Sequence, residues 1–178
     1  SLMRFLRKRP EGPRPQPYQS LLQAEGLRDR ASQTLDELAE LVQPIMLREG
    51  EILFREGDTP GSGYIVVSGA VDLYGTTLRD SYERIMRLRQ GQGLGMLSLV
   101  DGKPRLGSAV AHEPSWLLEL PPSVFSQADS NGDSAMLSML RITAYSSLAT
   151  GLRLANSHVE FLQGKLNGHA LDPRFKAL

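Results

Sequence analysis

The most informative part of the chain is residues 93–110, which read GLGMLSLVDGKPRLGSAV. Glycines precede one helical turn of apolar residues. A second chain turn follows, and it places Arg105 just before a predicted strand. Amides at the start of a short helix favour an anion, and a planar guanidinium aimed at the same place would hold a phosphate through two hydrogen bonds. On spacing alone, this interpretation and a surface arginine in a tight turn are equally well supported.

Short predicted strands surround this segment on both sides, between residues 45 and 120. Apolar residues alternate within several of the runs, Tyr64–Val67 is rich in β-branched residues, and turn signals separate the runs at a spacing of roughly 8–12 residues. The runs are 52–54, 64–67, 71–73, 85–89, 108–111 and 116–120. The pattern predicts a barrel or jelly roll rather than β-α-β units.

Helical periodicity precedes the strands, from Ser20 to Val42. Leucines recur there at helical spacing, and Ser32 or Thr34 is expected to cap the second part of this region. Pro44 is expected to end it, because proline cannot continue a helix.

A long helix is predicted after the strands, from Ala135 to about Leu166. Its apolar residues repeat every three or four positions, so one apolar stripe runs along a helix of about 45 Å. A small barrel cannot cover that length, so we expect a parallel homodimer, with packing on the chain's own barrel or on an absent domain as alternatives. The residues expected on the dimer helix are Leu140, Ala144, Leu148, Leu152, Ala155 and Val159.

Composition argues against several classes of function. The 178 residues carry 20 basic and 20 acidic side chains, which argues against a general basic surface for nucleic acid. The absence of cysteine excludes disulfides, thiolate metal sites and a cysteine nucleophile. No apolar run approaches the ~20 residues of a membrane span and no secretory signal is evident, so we expect a cytoplasmic protein.

Residues 1–19 are predicted to be a basic, proline-rich tail or linker. Five basic side chains oppose one acidic side chain within residues 1–17, a net charge of +4. Four prolines between positions 10 and 17 favour an extended, solvated chain. The segment is interpreted as a tail or as the remnant of a longer chain, with weak anchoring to anionic lipid or to a partner domain as the alternative.

No catalytic set is found among the remaining polar residues. The glycines at 91–95 fail the dinucleotide-binding pattern because Met96 stands at the third glycine position. His112, His158 and His169 lack metal-ligand spacing, and no carboxylate is placed beside them for proton transfer. We therefore expect a protein that is not an enzyme and that has neither a metal nor a cofactor.

These motifs together resemble the cyclic nucleotide-binding domain family, over about three quarters of the chain. The resemblance is carried by Gly50–Glu51, FREGD at 54–58, YIVVSGAV at 64–71, Gly93, Gly95 and Pro104–Arg105. It implies a mainly β fold with flanking helices, in which an eight-stranded β-roll or jelly roll like that of catabolite activator protein carries a short cassette helix and a long C-terminal helix. The implied boundaries are N-terminal helices over 20–44, the roll over 45–134, the dimerisation or lid helix over 135–166 and a flexible tail over 167–178.

The resemblance also implies a phosphate-binding cassette, in which Gly95 matches the cassette glycine and Arg105 the arginine that binds the phosphate. The family's ribose-binding glutamate falls on Met96, whose thioether is a poor acceptor for the ribose 2′-hydroxyl. Cyclic AMP or cyclic GMP is therefore expected to bind about 10–150-fold more weakly. The expected ligand-binding residues are Gly95, Met96, Leu97, Ser98, Arg105, Leu106, Gly107 and Ser108.

Three environments are open to Arg105, because a buried charge without a partner is costly. It binds a phosphate ligand, pairs with an internal carboxylate, or extends into water.

The expected function is a cyclic nucleotide-binding regulatory module that shifts its long helix when the cassette is occupied. The alternative is a dimerisation or docking domain that has kept the fold and lost the ligand. Only 12 residues follow Leu166, too few for a helix-turn-helix, so we expect no DNA-binding domain in this chain. The expected partners are a cyclic nucleotide or another small phosphate ligand, a second copy of the chain, and an effector domain that is covalently linked or separate.

Overall fold

The computed structural model describes residues 8–28, 32–76, 81–133, 135–147 and 149. Across these ranges, no helix has both the length and the apolar composition that a membrane crossing requires. The helices are α1 (Pro17–Leu21), α2 (Gln33–Leu41), α3 (Met96–Asp101), α4 (Ser123–Ser130) and α5 (residues 135–147). The strands are β1 (Gln43–Leu47), β2 (Ile52–Phe54), β3 (Gly63–Ser68), β4 (Val71–Thr76), β5 (Tyr82–Leu88), β6 (Gly93–Leu94), β7 (Ser108–Ala111) and β8 (Ser115–Leu120).

The eight strands form two four-stranded antiparallel sheets. One sheet has the order β1-β8-β3-β6 and the other the order β2-β7-β4-β5, so the chain crosses repeatedly from one sheet to the other. This arrangement confirms the predicted β-roll with flanking helices, and α3 is the predicted short cassette helix.

The inner faces of the two sheets enclose the first of two apolar cores. Phe54, Tyr64 and Val71 belong to this inner core, and each is at most 8% exposed. Because side chains alternate along a strand, Leu117 of β8 also lies in the inner core while its neighbour Leu118 packs on the opposite face. The alternation that predicted the strands thus also divides their residues between two cores.

The second, outer core lies between the helices and the first sheet. Leu21 of α1 and Leu38 of α2 are fully buried there, together with Ile65 of β3. Burying one such side chain stabilises the fold by about 1.5–3 kcal/mol. Ser32 caps α2, since its side chain accepts a hydrogen bond from the Leu35 amide at 3.2 Å, so the cap is Ser32 rather than Thr34.

Two of the residues expected on the dimer helix, Leu140 and Ala144, are buried within their own chain. Both lie in the outer core of their own chain, 2% and 3% exposed, in the same buried cluster as Leu21 and Leu38. This part of the predicted apolar stripe is therefore covered within the chain, and the homodimer stays a prediction. The other residues expected on the dimer helix lie outside the described residues, namely Leu148, Leu152, Ala155 and Val159.

Candidate functional site

A short helix between two left-handed glycines forms the predicted cassette. Gly95 precedes α3 with φ of 68°, and Gly102 follows it with φ of 66°, a region that glycine enters without the steric cost of a Cβ atom. The helix therefore begins and ends sharply within one or two turns. The segment after Gly102 then leads to Arg105, whose amide donates to the Asp58 carbonyl at 3.0 Å.

Arg105 points into the molecule and is held on three sides. Its Nη1 donates to the Gly95 carbonyl at 3.0 Å, and its Nη2 donates to the Ser62 carbonyl at 2.7 Å. Its Cζ lies 4.3 Å from the centroid of the Phe54 ring. The residue is only 5% exposed, so it is not a surface arginine in a turn.

The charge of Arg105 has no ion-pair partner among the described residues, where no carboxylate oxygen lies within 4 Å of its guanidinium. Burial lowers the pKa of the guanidinium from its ordinary value, while the nearby Tyr64 and Asp58 act in the opposite direction. Of the three expected environments, the internal carboxylate and the extension into water therefore do not describe this side chain. What the structure shows is a buried cation held by two carbonyls and an aromatic ring.

A cavity of about 310 Å³ opens beside the guanidinium. This volume is at the lower end of the range of small-molecule sites. Seven of the eight predicted ligand-binding residues line it, namely Gly95, Met96, Leu97, Ser98, Arg105, Leu106 and Gly107. The predicted cassette and the cavity thus coincide.

The remaining walls of this cavity come from residues that were not among the predicted ligand contacts. They are Phe54 of β2, Leu73 of β4, Ile85, Met86 and Leu88 of β5, Gly93 and Leu94 of β6, and Ser147 of α5. Met86 and Leu88 alternate along β5, which is a signal that could have found them, whereas alternation does not select the consecutive Ile85 and Met86 together. Ser147 belongs to a different helix, and no spacing rule connects it to the cassette.

Ser108, the eighth predicted ligand contact, is not among the residues that line the cavity. Its hydroxyl accepts a hydrogen bond from the Glu56 amide at 2.9 Å, and the residue is 7% exposed. Ser108 therefore fixes the turn after β2 to the start of β7. Leu106, in contrast, lines the cavity and is 75% exposed to solvent.

Met96 occupies the position that the resemblance gives to a ribose-binding glutamate. It is 3% exposed and belongs to the outer core as well as to the cavity wall. A Cβ atom on Gly63 would lie 2.5 Å from the Met96 sulfur, so the thioether fills the space left by that glycine. No lining residue within the described part of the chain has a carboxylate, amide or imidazole side chain.

Comparisons with known proteins agree with the predicted family. The sequence pattern of the cyclic nucleotide-binding domain matches residues 44–131. The cyclic AMP receptor protein of Thermus thermophilus is 33% identical over 90 residues, which cover 51% of this chain and 42% of that protein. The matched segment thus spans less than half of that relative.

Solved structures show the same fold. A cyclic nucleotide-binding domain from Methylobacillus flagellatus superimposes with a TM-score of 0.66 at 20% identity, covering 72% of each chain. The catabolite activator protein of Thermus thermophilus superimposes with a TM-score of 0.60 at 27% identity, covering 79% of this chain and 63% of that one. The two sheets and the flanking helices have the β-roll fold of this family. Residues 44–131 are a cyclic nucleotide-binding domain.

Proposed function

We propose that this chain is a regulatory module, not an enzyme, whose cavity binds a cyclic nucleotide or a related small phosphate ligand. The observation that carries the proposal is the Arg105 guanidinium, which is 5% exposed, borders the cavity and lacks a carboxylate partner among the described residues. A desolvated cation of this kind favours a bound anion. A phosphate next to Arg105 would also receive hydrogen bonds from amides at the start of α3, which have no partner within the helix.

The apolar part of the cavity suits the remainder of such a ligand. Leu73, Met86 and Leu88 from two neighbouring strands provide a wall for a flat base or another apolar body. Burying apolar surface contributes about 25 cal/mol per Å², so this wall supports affinity without selecting one base. The proposal therefore covers cyclic AMP and cyclic GMP alike.

Met96 gives the proposed site an altered specificity. The thioether offers no useful acceptor for a ribose 2′-hydroxyl, and a hydrogen bond to a charged group contributes about 1.5–3 kcal/mol. We expect cyclic nucleotides to bind about 10–150-fold more weakly than they would with glutamate at this position.

Regulation requires that the ligand favour one arrangement of the protein over another. Ser147 of α5 lines the cavity, so a bound ligand would lie against the helix that leads to the C-terminal part of the chain. We propose that ligand binding shifts α5 and that this shift is transmitted to an effector domain, which is covalently linked or separate. We also propose a cytoplasmic location, and a homodimer formed through Leu148, Leu152, Ala155 and Val159.

The alternative function is a docking or dimerisation domain without a ligand. It is favoured by the two carbonyls and the Phe54 ring, which hold Arg105 without an anion. Met96 also fills space near Gly63 without offering a polar group to the cavity.

Calorimetric titration separates the two functions. Cyclic AMP, cyclic GMP and cyclic dinucleotides are each titrated into the wild type, into Arg105→Ala and into Arg89→Ala, a control that removes an arginine whose side chain is 62% exposed. We expect saturable binding that Arg105→Ala abolishes and Arg89→Ala preserves. The absence of heat from every nucleotide up to about 1 mM, a free energy of only about −4 kcal/mol, would overturn the ligand-binding proposal.

A further inference from the structure

A hydrogen-bonded pair outside the cavity wall connects Arg105 to the centre of the first sheet. The Ser62 hydroxyl donates to Glu119 Oε1 at 2.7 Å, and the Ser62 carbonyl accepts from Arg105 Nη2 at 2.7 Å. Ser62 therefore bonds to the guanidinium through its backbone and to a carboxylate through its side chain. Neither Ser62 nor Glu119 borders the cavity.

Glu119 lies on a rigid element. Strand β8 runs between β1 and β3, with Glu119 opposite Gln43 on one side and opposite Tyr64 on the other. Ser62, in contrast, belongs to the loop that precedes β3 and is held at that end by its bond to Glu119. The carboxylate thus fixes the loop whose carbonyl faces Arg105.

The position of the guanidinium is sensitive to this loop. Gly95, which provides the second carbonyl, leaves no spare room, since a Cβ atom there would lie 2.6 Å from Arg105 Nη1 and 3.3 Å from the Ser62 carbonyl oxygen. A shift of Ser62 would release one of the two hydrogen bonds and allow the long arginine side chain to sample other rotamers. Ordering such a side chain on binding lowers affinity.

From this geometry we infer that Ser62 and Glu119 are positioning residues, which hold the Arg105 guanidinium in the orientation that receives an anionic ligand. The inference deepens the proposed function and rests on it for the ligand, but the orientation of Arg105 is a property of the protein alone. It can therefore be measured without any nucleotide.

The first measurement is nitrogen-15 NMR of the Arg105 guanidinium in the full chain, assigned with Arg105→Lys. A guanidinium held by two carbonyls rotates slowly and gives separate Nη1 and Nη2 signals. We expect Ser62→Ala and Glu119→Ala to average these signals, whereas Ser62→Thr and Glu119→Gln, which keep a hydroxyl donor and an oxygen acceptor, restore them. Ser126→Ala is the control, because it removes an exposed hydroxyl bonded only locally to the Ser123 carbonyl.

The second measurement is the affinity for cyclic AMP. We expect Ser62→Ala and Glu119→Ala each to weaken binding by about two- to tenfold, and the double variant to weaken it no further than either single change, because both remove the same hydrogen bond. Amide spectra establish that each variant is folded.

The two measurements separate the two claims. Unchanged Arg105 signals in folded Ser62→Ala and Glu119→Ala would overturn the inference, whatever the nucleotide affinity. Wild-type protein that binds no cyclic AMP while its Arg105 signals respond to both variants would contradict the proposed function and support the positioning role.

Discussion

The Arg105 guanidinium lies over the Phe54 ring, with 4.3 Å between Cζ and the ring centroid. Phe54 in turn stacks on Tyr64 with 6.2 Å between ring centroids. The aromatic pair belongs to the inner core, so the cation rests on a well-packed ring. This contact explains how a buried arginine is tolerated beside an apolar cavity, since a desolvated cation–π contact stabilises by about 2 kcal/mol or more.

Replacing Phe54 by leucine should therefore affect both stability and binding. Phe54→Leu keeps an apolar side chain but removes the ring, and we expect the free energy of unfolding to fall by about 1–3 kcal/mol. Chemical denaturation measures this loss. Val66→Ala is the comparison, because it removes inner-core packing at a residue that does not line the cavity. Equal losses of cyclic AMP affinity in the two variants would contradict a specific role for the Phe54–Arg105 contact.

Two glycines with the same backbone conformation allow a matched test of the cassette. Gly95 and Gly102 both have φ near 67°, but a Cβ atom at Gly102 meets nothing within 4 Å, whereas one at Gly95 collides with Arg105. We expect Gly102→Ala to cost about 1 kcal/mol of stability with unchanged nucleotide affinity. Gly95→Ala should cost more and should abolish binding. Denaturation and calorimetry measure the two effects, and equal behaviour of the variants would show that Gly95 has no role beyond its backbone conformation.

Met96→Glu tests the altered specificity. The new carboxylate should tighten cyclic AMP binding by about 10–150-fold, because it accepts a hydrogen bond from the 2′-hydroxyl. Affinity for 2′-deoxy cyclic AMP should not rise, and Met96→Leu should leave both affinities nearly unchanged. Because Met96 is 3% exposed, the glutamate variant should also unfold more easily. An equal gain for both nucleotides, or no gain for either, would contradict the assigned position of Met96.

The lowered pKa of the Asp72 carboxyl predicts how the free energy of unfolding depends on pH. Burial alone would raise the pKa of its carboxyl, but hydrogen bonds and charge from Arg87, with the charges of Arg84 and His112, lower this pKa on balance. Two of these bonds are short, at 2.7 and 2.9 Å from Arg87. The carboxylate therefore stabilises the fold above the unfolded-state pKa of about 3.9, and this contribution is lost as pH falls through the lower folded-state value.

Asp72→Asn should thus destabilise the protein near pH 7 by about 1–3 kcal/mol and should unfold at nearly the same denaturant concentration as the wild type near pH 2. Asp129→Asn, at an exposed position on α4, is the control and should follow the wild-type pH profile. Urea denaturation across this pH range measures the difference. A destabilisation by Asp72→Asn that is equally large at both pH values would contradict the ionic role of the carboxyl.

The homodimer proposal predicts a concentration-dependent assembly. The wild type should sediment as a dimer at about 100 μM, where an interface of micromolar affinity is nearly saturated. Leu148→Asp or Leu152→Asp should yield monomers, because either places a charge on the apolar stripe. Sedimentation equilibrium measures both, and a monomeric wild type at that concentration would contradict the proposal.

The sequence predicts the fold well, because local patterns specify strands and helices directly. The consecutive apolar residues Leu117 and Leu118 mark a strand with two buried faces, and Ser32 marks the start of α2. The spacing of Leu140 and Ala144 correctly predicts a buried helical stripe but not what covers it, because a stripe that packs on its own chain has the same period as one that packs on a partner.

The site is predicted less completely. Residues within the cassette, such as Gly95 and Arg105, are close in sequence and are recognised together. Phe54 and Ser62 reach the guanidinium from loops and strands more than 40 positions away, so no local spacing reveals them. Ser108 lies only three residues after Arg105, yet its hydroxyl bonds to the Glu56 amide, because strand β7 turns it away from the cavity.

The most direct test of the central claim is a crystal structure of the chain grown with saturating cyclic AMP. We expect a nucleotide inside the cavity, with a phosphate oxygen within about 3.2 Å of the Arg105 guanidinium and the base against the wall formed by β4 and β5. A cavity closed by Met96 and Leu106, with Arg105 still bound only to its two carbonyls and the nucleotide absent or on the outer surface, would contradict it.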